Sequence, residues 1–101
     1  MVDYSITELD ISNKGLTKLP DDIDKYTNLK ILNCSYNEIT SLDNLPSTLV
    51  FLDCYDNQLT SLDNLPPTLK ELDCIYNPLK YDFKFTLENI KNYNSSRIPS
   101  S

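Results

Sequence analysis

The chain has 101 residues, a formal net charge of −6 at pH 7, no histidine and a single glycine. This length suits one small domain, and the acidic balance argues against binding to nucleic acid or to an anionic membrane. The absence of histidine removes the commonest general base and metal ligand, and no apolar run reaches the ~20 residues of a membrane-spanning helix.

A repeat with a period of 20 residues organises the chain. Cys34, Cys54 and Cys74 are spaced by 20, and an asparagine follows each cysteine by three residues. The copies, of which the first is more divergent and has a period of 23, begin at Ile6, Leu29, Leu49 and Leu69. In each copy the residues at positions 4 and 6 are apolar and one residue lies between them, which is typical of a short strand with one buried face. Strands that recur at a fixed period are predicted to stack in parallel, about 4.8 Å apart.

The rest of each copy returns the chain to the next strand. Pro46 and the pair Pro66 and Pro67 lie in these returns. Because proline disfavours helix for itself and for the preceding residue, we predict returns that are extended or 3₁₀-like. The longer first return contains DDIDKYTNL, residues 21–29, which has room for a short helical turn.

Both ends of such a stack expose a slice of core that needs a cover. After residue 82 the period stops, and we predict a capping helix and a frayed serine-rich tail within residues 83–101. Thr86 is suited to cap this helix, and Leu87 and Ile90 fall on one face of it. At the other end, Val2 and Tyr4 are expected to cover the first coil, whose strand remains a partly exposed edge.

The copies follow the pattern L-x-x-L-x-(L/C)-x-x-N-x-(L/I)-x-x-L, which resembles the leucine-rich repeat family. The 20-residue period and the segment LPPTLKELDC are similar to the short, proline-containing class of bacterial effector proteins. They are closer still to intracellular leucine-rich-repeat proteins of giant viruses. The resemblance implies an α/β leucine-rich-repeat solenoid over residues 1–82. Its features are a right-handed coil, a short parallel β-sheet on the concave face and extended or 3₁₀ convex returns. It implies little about function, because the family is defined by its scaffold.

The asparagines and cysteines of the repeat have structural interpretations. The asparagine side chains can bond backbone groups of their own and neighbouring coils, which we favour over a ligand-binding role. The first copy has Lys14 at this position, so the series is predicted to stop there. The cysteines fall at core positions, with a spacing that suits neither a zinc site nor the ~3.5–4.5 Å Cβ separation of a disulfide. Buried free thiols favour a reducing, cytoplasmic location, which for a viral protein would lie inside an infected host cell.

The face of the sheet turned away from the core carries the candidate binding residues. Positions 3, 5 and 7 of each copy point there, with position 8 at the rim. An apolar patch with a polar rim is typical of a protein-binding surface. The predicted partner-binding residues are Ile31, Phe51, Asp53, Tyr55, Asp56, Asp73, Ile75 and Tyr76. The alternative is that the apolar members only supply strand propensity and cross-strand packing.

The charge distribution suggests what kind of partner this face binds. Residues 32–69 contain five carboxylates and no lysine or arginine. Asp53 and Asp73, expected on neighbouring strands, would repel each other, and a basic partner surface would relieve that repulsion. A calcium site is a second interpretation, although the ion requires about 6–8 oxygen ligands. A solvated acidic face is the third.

Enzyme chemistry is not predicted. Without histidine there is no nucleophile–base pair, and the single Gly15 cannot form a phosphate-binding loop. Paired carboxylates on an open sheet would lack the pocket that glycoside hydrolysis needs. We therefore expect a non-enzymatic protein–protein interaction module, without cofactor or metal, that is a monomer or a weak dimer. The alternative is a structural protein that self-associates through its exposed N-terminal edge strand.

Overall fold

The computed structural model describes residues 2–96 of the chain. Within this range the regular elements are short strands, a 3₁₀ turn and a C-terminal helix. In chain order they are β1 (Glu8–Asp10), the 3₁₀ turn Ile23–Lys25, β2 (Ile31–Asn33), β3 (Phe51–Asp53), β4 (Glu71–Asp73) and α1 (Leu87–Ser96). Among the described residues, no helix combines the length and the apolarity needed to span a membrane.

The strands form one parallel sheet in the order β1-β2-β3-β4. Their central leucines, which align in register, are Leu9, Leu32, Leu52 and Leu72. Leu32 and Leu52, on the two inner strands, are fully buried. Leu9 and Leu72, on the two outer strands, are half-buried, because each outer strand has a neighbouring strand on one side only. The predicted parallel stack with one strand per repeat is confirmed.

Asparagine side chains tie each coil to the one before it. Asn57 is 1% exposed, and its Oδ1 accepts a hydrogen bond from the backbone N–H of Ile39 at 3.0 Å. Its Nδ2 donates to the carbonyls of Cys34 and Cys54 at 3.0 and 3.1 Å. One side chain therefore satisfies three backbone groups on two coils, which confirms the structural interpretation of this residue.

The neighbouring asparagines of the series repeat these bonds. Asn37 Oδ1 accepts from the backbone N–H groups of Lys14 and Leu16, both at 3.0 Å. Its Nδ2 donates to the carbonyl of Ile11 at 3.0 Å. Asn77 makes equivalent bonds one coil beyond Asn57. Each asparagine bonds the coil that precedes its own. The first coil is therefore held by Asn37 of the second coil, although the first repeat has Lys14 in place of the asparagine.

The three cysteines fill the core beneath the sheet as free, buried thiols, as predicted. The sulfurs of Cys34 and Cys54 lie 3.4 and 3.3 Å from the carbonyl oxygens of Asp53 and Asp73 on the next strand. Burial raises the pKa of the Cys34 thiol to about 12 and that of Cys74 to about 11. It also raises the pKa of Cys54 well above its ordinary value. The neutral thiol is therefore the stable form at each of these positions.

We expect these thiols to resist alkylation in the native protein. The thiolate is the reactive species, and at pH 8 pKa values this high leave a thiolate fraction of about one in a thousand or less. Iodoacetamide and mass spectrometry should find no adduct in the native chain over a time in which the urea-unfolded chain acquires three. A single thiol that reacts at the unfolded rate would contradict this burial.

The same burial makes the free energy of unfolding depend on pH. Because the folded-state pKa values of these thiols lie above the ordinary value of 9.0, their full contribution to the free energy of unfolding should be present below about pH 9 and should be lost as the pH rises toward 12.

The returns between the later strands contain no helix over residues 38–48 and 58–68. Pro46 and Pro66 are buried within them. The hydroxyls of Thr48 and Thr68 each donate to a backbone carbonyl of the preceding coil at 2.7 Å. The lack of helix in these two returns agrees with the prediction that proline keeps helix out of them, and the 3₁₀ turn confirms the short helical turn predicted in the longer first return.

Helix α1 packs on the last coil. The hydroxyl oxygen of Thr86 accepts a hydrogen bond from the backbone N–H of Asn89 at 3.1 Å, as an N-cap residue does. Ile90 is fully buried against the core, and Lys91 Nζ donates to the carbonyl of Leu69 at 2.7 Å. The predicted C-terminal helix is confirmed and begins directly after Thr86. The predicted frayed ending, residues 97–101, lies outside the described residues.

The prediction for the N-terminal end is wrong for Val2 and right for Tyr4. Val2 is 50% exposed, whereas Tyr4 packs against the core. The Tyr4 ring meets the ring of Tyr26 edge-on at 5.0 Å, and its hydroxyl donates to Asp22 Oδ2 at 2.7 Å. That hydrogen bond raises the pKa of Tyr4. Tyrosine serves here because it offers a broad ring together with a polar group, whereas valine offers two methyl groups.

Candidate interaction surface

The side chains on either side of each central leucine form a surface that we call the outer sheet face. It comprises positions 3, 5, 7 and 8 of each repeat, counted from Ile6, Leu29, Leu49 and Leu69. The position-3 row, in register across the sheet, is Glu8, Ile31, Phe51 and Glu71. Ile31 and Phe51 are adjacent and half-buried, and the glutamates at both ends are exposed. This row therefore presents an apolar pair between two negative charges.

The position-5 row has a role in the backbone that the sequence analysis did not predict. Its members are Asp10, Asn33, Asp53 and Asp73. In each, Oδ1 accepts the backbone N–H of the residue two places later, at distances between 2.9 and 3.3 Å. For Asp10, the Ser12 hydroxyl and backbone donate together and hold the pKa of the carboxyl below its ordinary value. These side chains therefore form a turn directly after each strand, and the three aspartates also contribute charge to the face.

Three tyrosines cross the end of the face where the strands finish, and we call them the tyrosine ladder. The ring centroids of Tyr36 and Tyr55 are 5.3 Å apart, and those of Tyr55 and Tyr76 are 5.2 Å apart. Tyr36 is 55% exposed, Tyr76 is 70% exposed, and the adjacent Ile75 is 57% exposed. Partial burial, the two neighbouring rings and Asp56 raise the pKa of Tyr55. The ladder is an accessible aromatic surface although its rings contact one another.

A left-handed backbone at position 8 sets the rim of the face. Tyr36, Asp56 and Tyr76 have φ angles of 55°, 58° and 59°. This conformation costs most residues about 1–2 kcal/mol, so the surrounding structure must hold it in place. The amides of Tyr36 and Asp56 donate to the carbonyls of Tyr55 and Ile75, both at 2.9 Å. Each strand therefore ends in the same turn, which aligns the position-8 residues from coil to coil.

The structure divides the eight predicted partner-binding residues among the rows of the face. At the strand ends lie Tyr55, Asp56, Ile75 and Tyr76; at the strand starts lie Ile31 and Phe51; and between them lie Asp53 and Asp73. Asp56 and the two residues after Cys74 are exposed, and the other members are half-buried. The face therefore has two apolar clusters separated by the position-5 row.

Two neighbouring residues depart from the prediction. Tyr36 belongs to the tyrosine ladder, although the predicted set omits it. Ser35, expected on the outer sheet face, is buried, and its hydroxyl donates to Asn33 Oδ1 at 2.6 Å. The repeat itself carries the signal that identifies Tyr36, because this residue and Tyr76 occupy the same position two periods apart.

Three carboxylates of the outer sheet face have no ion-pair partner within the described residues. No lysine among residues 2–96 forms an ion pair with Asp53, Asp56 or Asp73. The ion pair in this range joins Lys18 Nζ and Asp21 Oδ1 at 3.2 Å on the first return. In the same range no three histidine, cysteine, aspartate or glutamate side chains converge as metal ligands would. Cationic groups of another molecule can therefore approach these carboxylates without displacing an internal partner.

A family model of known proteins matches the N-terminal part of the chain. Residues 5–47 match the model described as Leucine Rich repeats (2 copies). They contain the first coil and most of the second. No curated protein matches the chain at a significant level. The match spans less than half of the chain, and the same unit of one strand and its return continues beyond it through β3 and β4.

Proposed function

We propose that the chain is a non-enzymatic interaction module that binds a partner protein through the outer sheet face, acting as the concave face of a right-handed leucine-rich-repeat solenoid. Leucine-rich-repeat domains generally mediate protein–protein interactions. The observation that carries the proposal is the exposed tyrosine ladder beside Ile75. The short period and the prolines support the proline-containing class; the likeness to effector and giant-virus proteins stays a prediction.

The composition of the face favours a protein partner. Tyrosine is enriched at binding surfaces because its ring offers apolar area and its hydroxyl remains able to bond polar groups. The ladder and Ile75 provide such area, and Asp53, Asp56 and Asp73 surround it with negative charge. A partner with a basic rim around an apolar centre would complement this arrangement. The buried free thiols further support an intracellular location.

Affinity capture from an extract of the native cell tests the proposed face. The bait is the tagged wild type, a Phe51→Ala/Tyr55→Ala variant or a Thr40→Ala/Thr60→Ala control, whose substitutions lie on exposed positions of the returns. Truncating two central aromatic residues of an interface costs about 2 kcal/mol or more, so recovery should fall at least about tenfold for the face variant alone. Urea unfolding of all three baits checks that each is folded.

The result that would overturn the proposal is recovery of the same partners, in the same amounts, by the wild type and the face variant. The control must behave as the wild type, because its substitutions leave the outer sheet face intact. If both variants lose the partner equally while folded, binding involves the returns and the proposed face is wrong.

Self-association is the second candidate function, and one feature of the sheet favours it. Strand β1 is the terminal strand of the sheet and pairs with β2 on one side only. A second copy could pair with its other edge, although the exposed Glu8 and Asp10 would bring like charges together. A wild-type bait that recovers only its own chain, with a dimer in sedimentation, would favour this function over partner binding.

A further inference from the structure

The position-8 row places one carboxylate among the rings of the tyrosine ladder. Tyr36, Asp56 and Tyr76 occupy the same position on three consecutive coils, each in the left-handed conformation. Because parallel coils stack about 4.8 Å apart, Asp56 lies between the two exposed tyrosines. Tyr55 directly precedes it and contacts both of their rings. The exposed Asp56 therefore occupies the middle position of a row whose two neighbours are exposed tyrosines, and it directly follows the tyrosine that joins their rings.

We propose that Tyr36, Tyr55, Asp56 and Tyr76 form a recognition site for an arginine side chain in the partner protein. This inference rests on the proposed function and names the chemistry that the outer sheet face recognises. The guanidinium group would stack on a ring of the ladder and donate hydrogen bonds from its edge to the Asp56 carboxylate.

Charge complementarity favours a cationic side chain as the occupant. The segment between Lys30 and Lys70 carries five carboxylates and no basic residue, and Asp56 has no ion-pair partner among the described residues. Tyrosine faces also attract cations, at distances up to about 6 Å from the ring centroid. Asp56 is close enough to Tyr55 to help raise the pKa of its hydroxyl, so a cation on this carboxylate lies beside the tyrosine ladder. Both components of the site therefore select positive charge.

Geometry favours arginine over lysine. A guanidinium is planar, so its face can stack on a tyrosine while its edge donates two parallel hydrogen bonds to a carboxylate. An ammonium group is a compact, strongly hydrated charge that cannot make both contacts in this way. The exposed carboxylate of Asp56 and the exposed ring of Tyr76 lie on adjacent coils of one row, which matches the two recognition elements of arginine.

A peptide titration followed by NMR tests the site. The probes are capped glycine-rich heptapeptides, identical except for a central residue that is arginine, lysine or citrulline, which has the shape of arginine without its charge. The arginine peptide should shift the amide signals of Tyr36, Tyr55, Asp56 and Tyr76. The lysine peptide should bind about threefold more weakly and the citrulline peptide about tenfold more weakly.

Matched variants separate this site from general attraction to an acidic protein. Asp56→Asn removes the charge and keeps a residue type that tolerates the left-handed backbone. Asp43→Asn removes the same charge from an exposed position on a return. The arginine peptide should lose about five- to tenfold in affinity for Asp56→Asn and keep its affinity for Asp43→Asn.

Three outcomes would overturn the arginine site: equal binding of the citrulline and arginine peptides, equal weakening by the two variants, or signal changes confined to the returns. The capture experiment separates this inference from the function on which it rests. If capture depends on Phe51 and Tyr55 but Asp56→Asn still recovers the partner fully, the arginine site is wrong and the outer sheet face stands. If capture is indifferent to Phe51 and Tyr55, the proposed function fails whatever the peptides do.

Discussion

Replacing Asn57 by alanine is expected to lower the free energy of unfolding by about 3–4 kcal/mol. The side chain is almost fully buried and bonds the N–H of Ile39 and the carbonyls of Cys34 and Cys54. Its removal leaves the N–H of Ile39 without a partner, which costs about 1–3 kcal/mol. It also takes one of two amide hydrogen bonds from each carbonyl, because Asn37 still donates to Cys34 and Asn77 to Cys54, and each lost bond costs about 0.5–1.5 kcal/mol. Relaxation and water entry reduce the sum. A domain of this size has about 5–15 kcal/mol of stability, so the loss would be a large part of the total.

Urea unfolding followed by circular dichroism measures this loss. Asn64→Ala serves as the matched control, because Asn64 is exposed on the return that follows. The control should stay within about 0.5 kcal/mol of the wild type. If Asn57→Ala also stays within 1 kcal/mol of the wild type, the asparagine bonds do not hold the coils together as described.

Replacing Ile90 by alanine is expected to cost about 2–4 kcal/mol, because this residue is the fully buried contact of α1 with the core. Leu87 packs partly against the core, and the ring of Tyr93 contacts those of Tyr81 and Phe83. The helix is also held by hydrogen bonds from Lys91 to the carbonyl of Leu69 and from Asn94 to the carbonyl of Leu62, but Ile90 is its fully buried residue. Loss of the isoleucine should therefore loosen the helix and uncover the apolar end of the stack. Hydrogen exchange should speed up first in α1 and β4.

Asn92→Ala is the control for this prediction, since Asn92 lies on the exposed side of the same helix. Alanine has the higher helix propensity, so the control should be neutral or slightly stabilising. An Ile90→Ala chain with unchanged stability and unchanged exchange in β4 would show that α1 does not cap the stack.

The sheet and the core were predictable because every copy of the repeat must fold in the same way as its neighbours. The C-terminal helix was predictable because the repeat stops and leaves the last coil to be covered. A leucine at position 4 of each copy and an apolar residue at position 6, which is Ile11 in the first copy and cysteine in the others, can share one buried face only if the strands run in parallel and in register. The same logic located the asparagine bonds. The N-terminal end was harder to predict, because no repeat governs it. There the choice between Val2 and Tyr4 depends on the contacts with Tyr26 and Asp22, which lie on the distant first return.

The surface was predicted less completely than the core. The position-8 row includes Tyr36, but the predicted binding set omits it. The row alone does not show that its ring reaches diagonally to Tyr55 at position 7 of the next coil. The left-handed backbone at Tyr36 and Tyr76 also could not be predicted from residue preferences, because tyrosine rarely adopts this conformation. The bonds from Asp53 and Asp73 to their own turns likewise depend on geometry that a period of 20 residues does not encode.

The most direct test of the central claim is the amount of partner protein that the Phe51→Ala/Tyr55→Ala chain recovers, relative to the wild type and to the Thr40→Ala/Thr60→Ala control. The outer sheet face predicts that the wild type and the control recover a common partner, and that the face variant recovers at least about tenfold less of it while remaining folded. Equal recovery by all three chains would contradict binding through the outer sheet face.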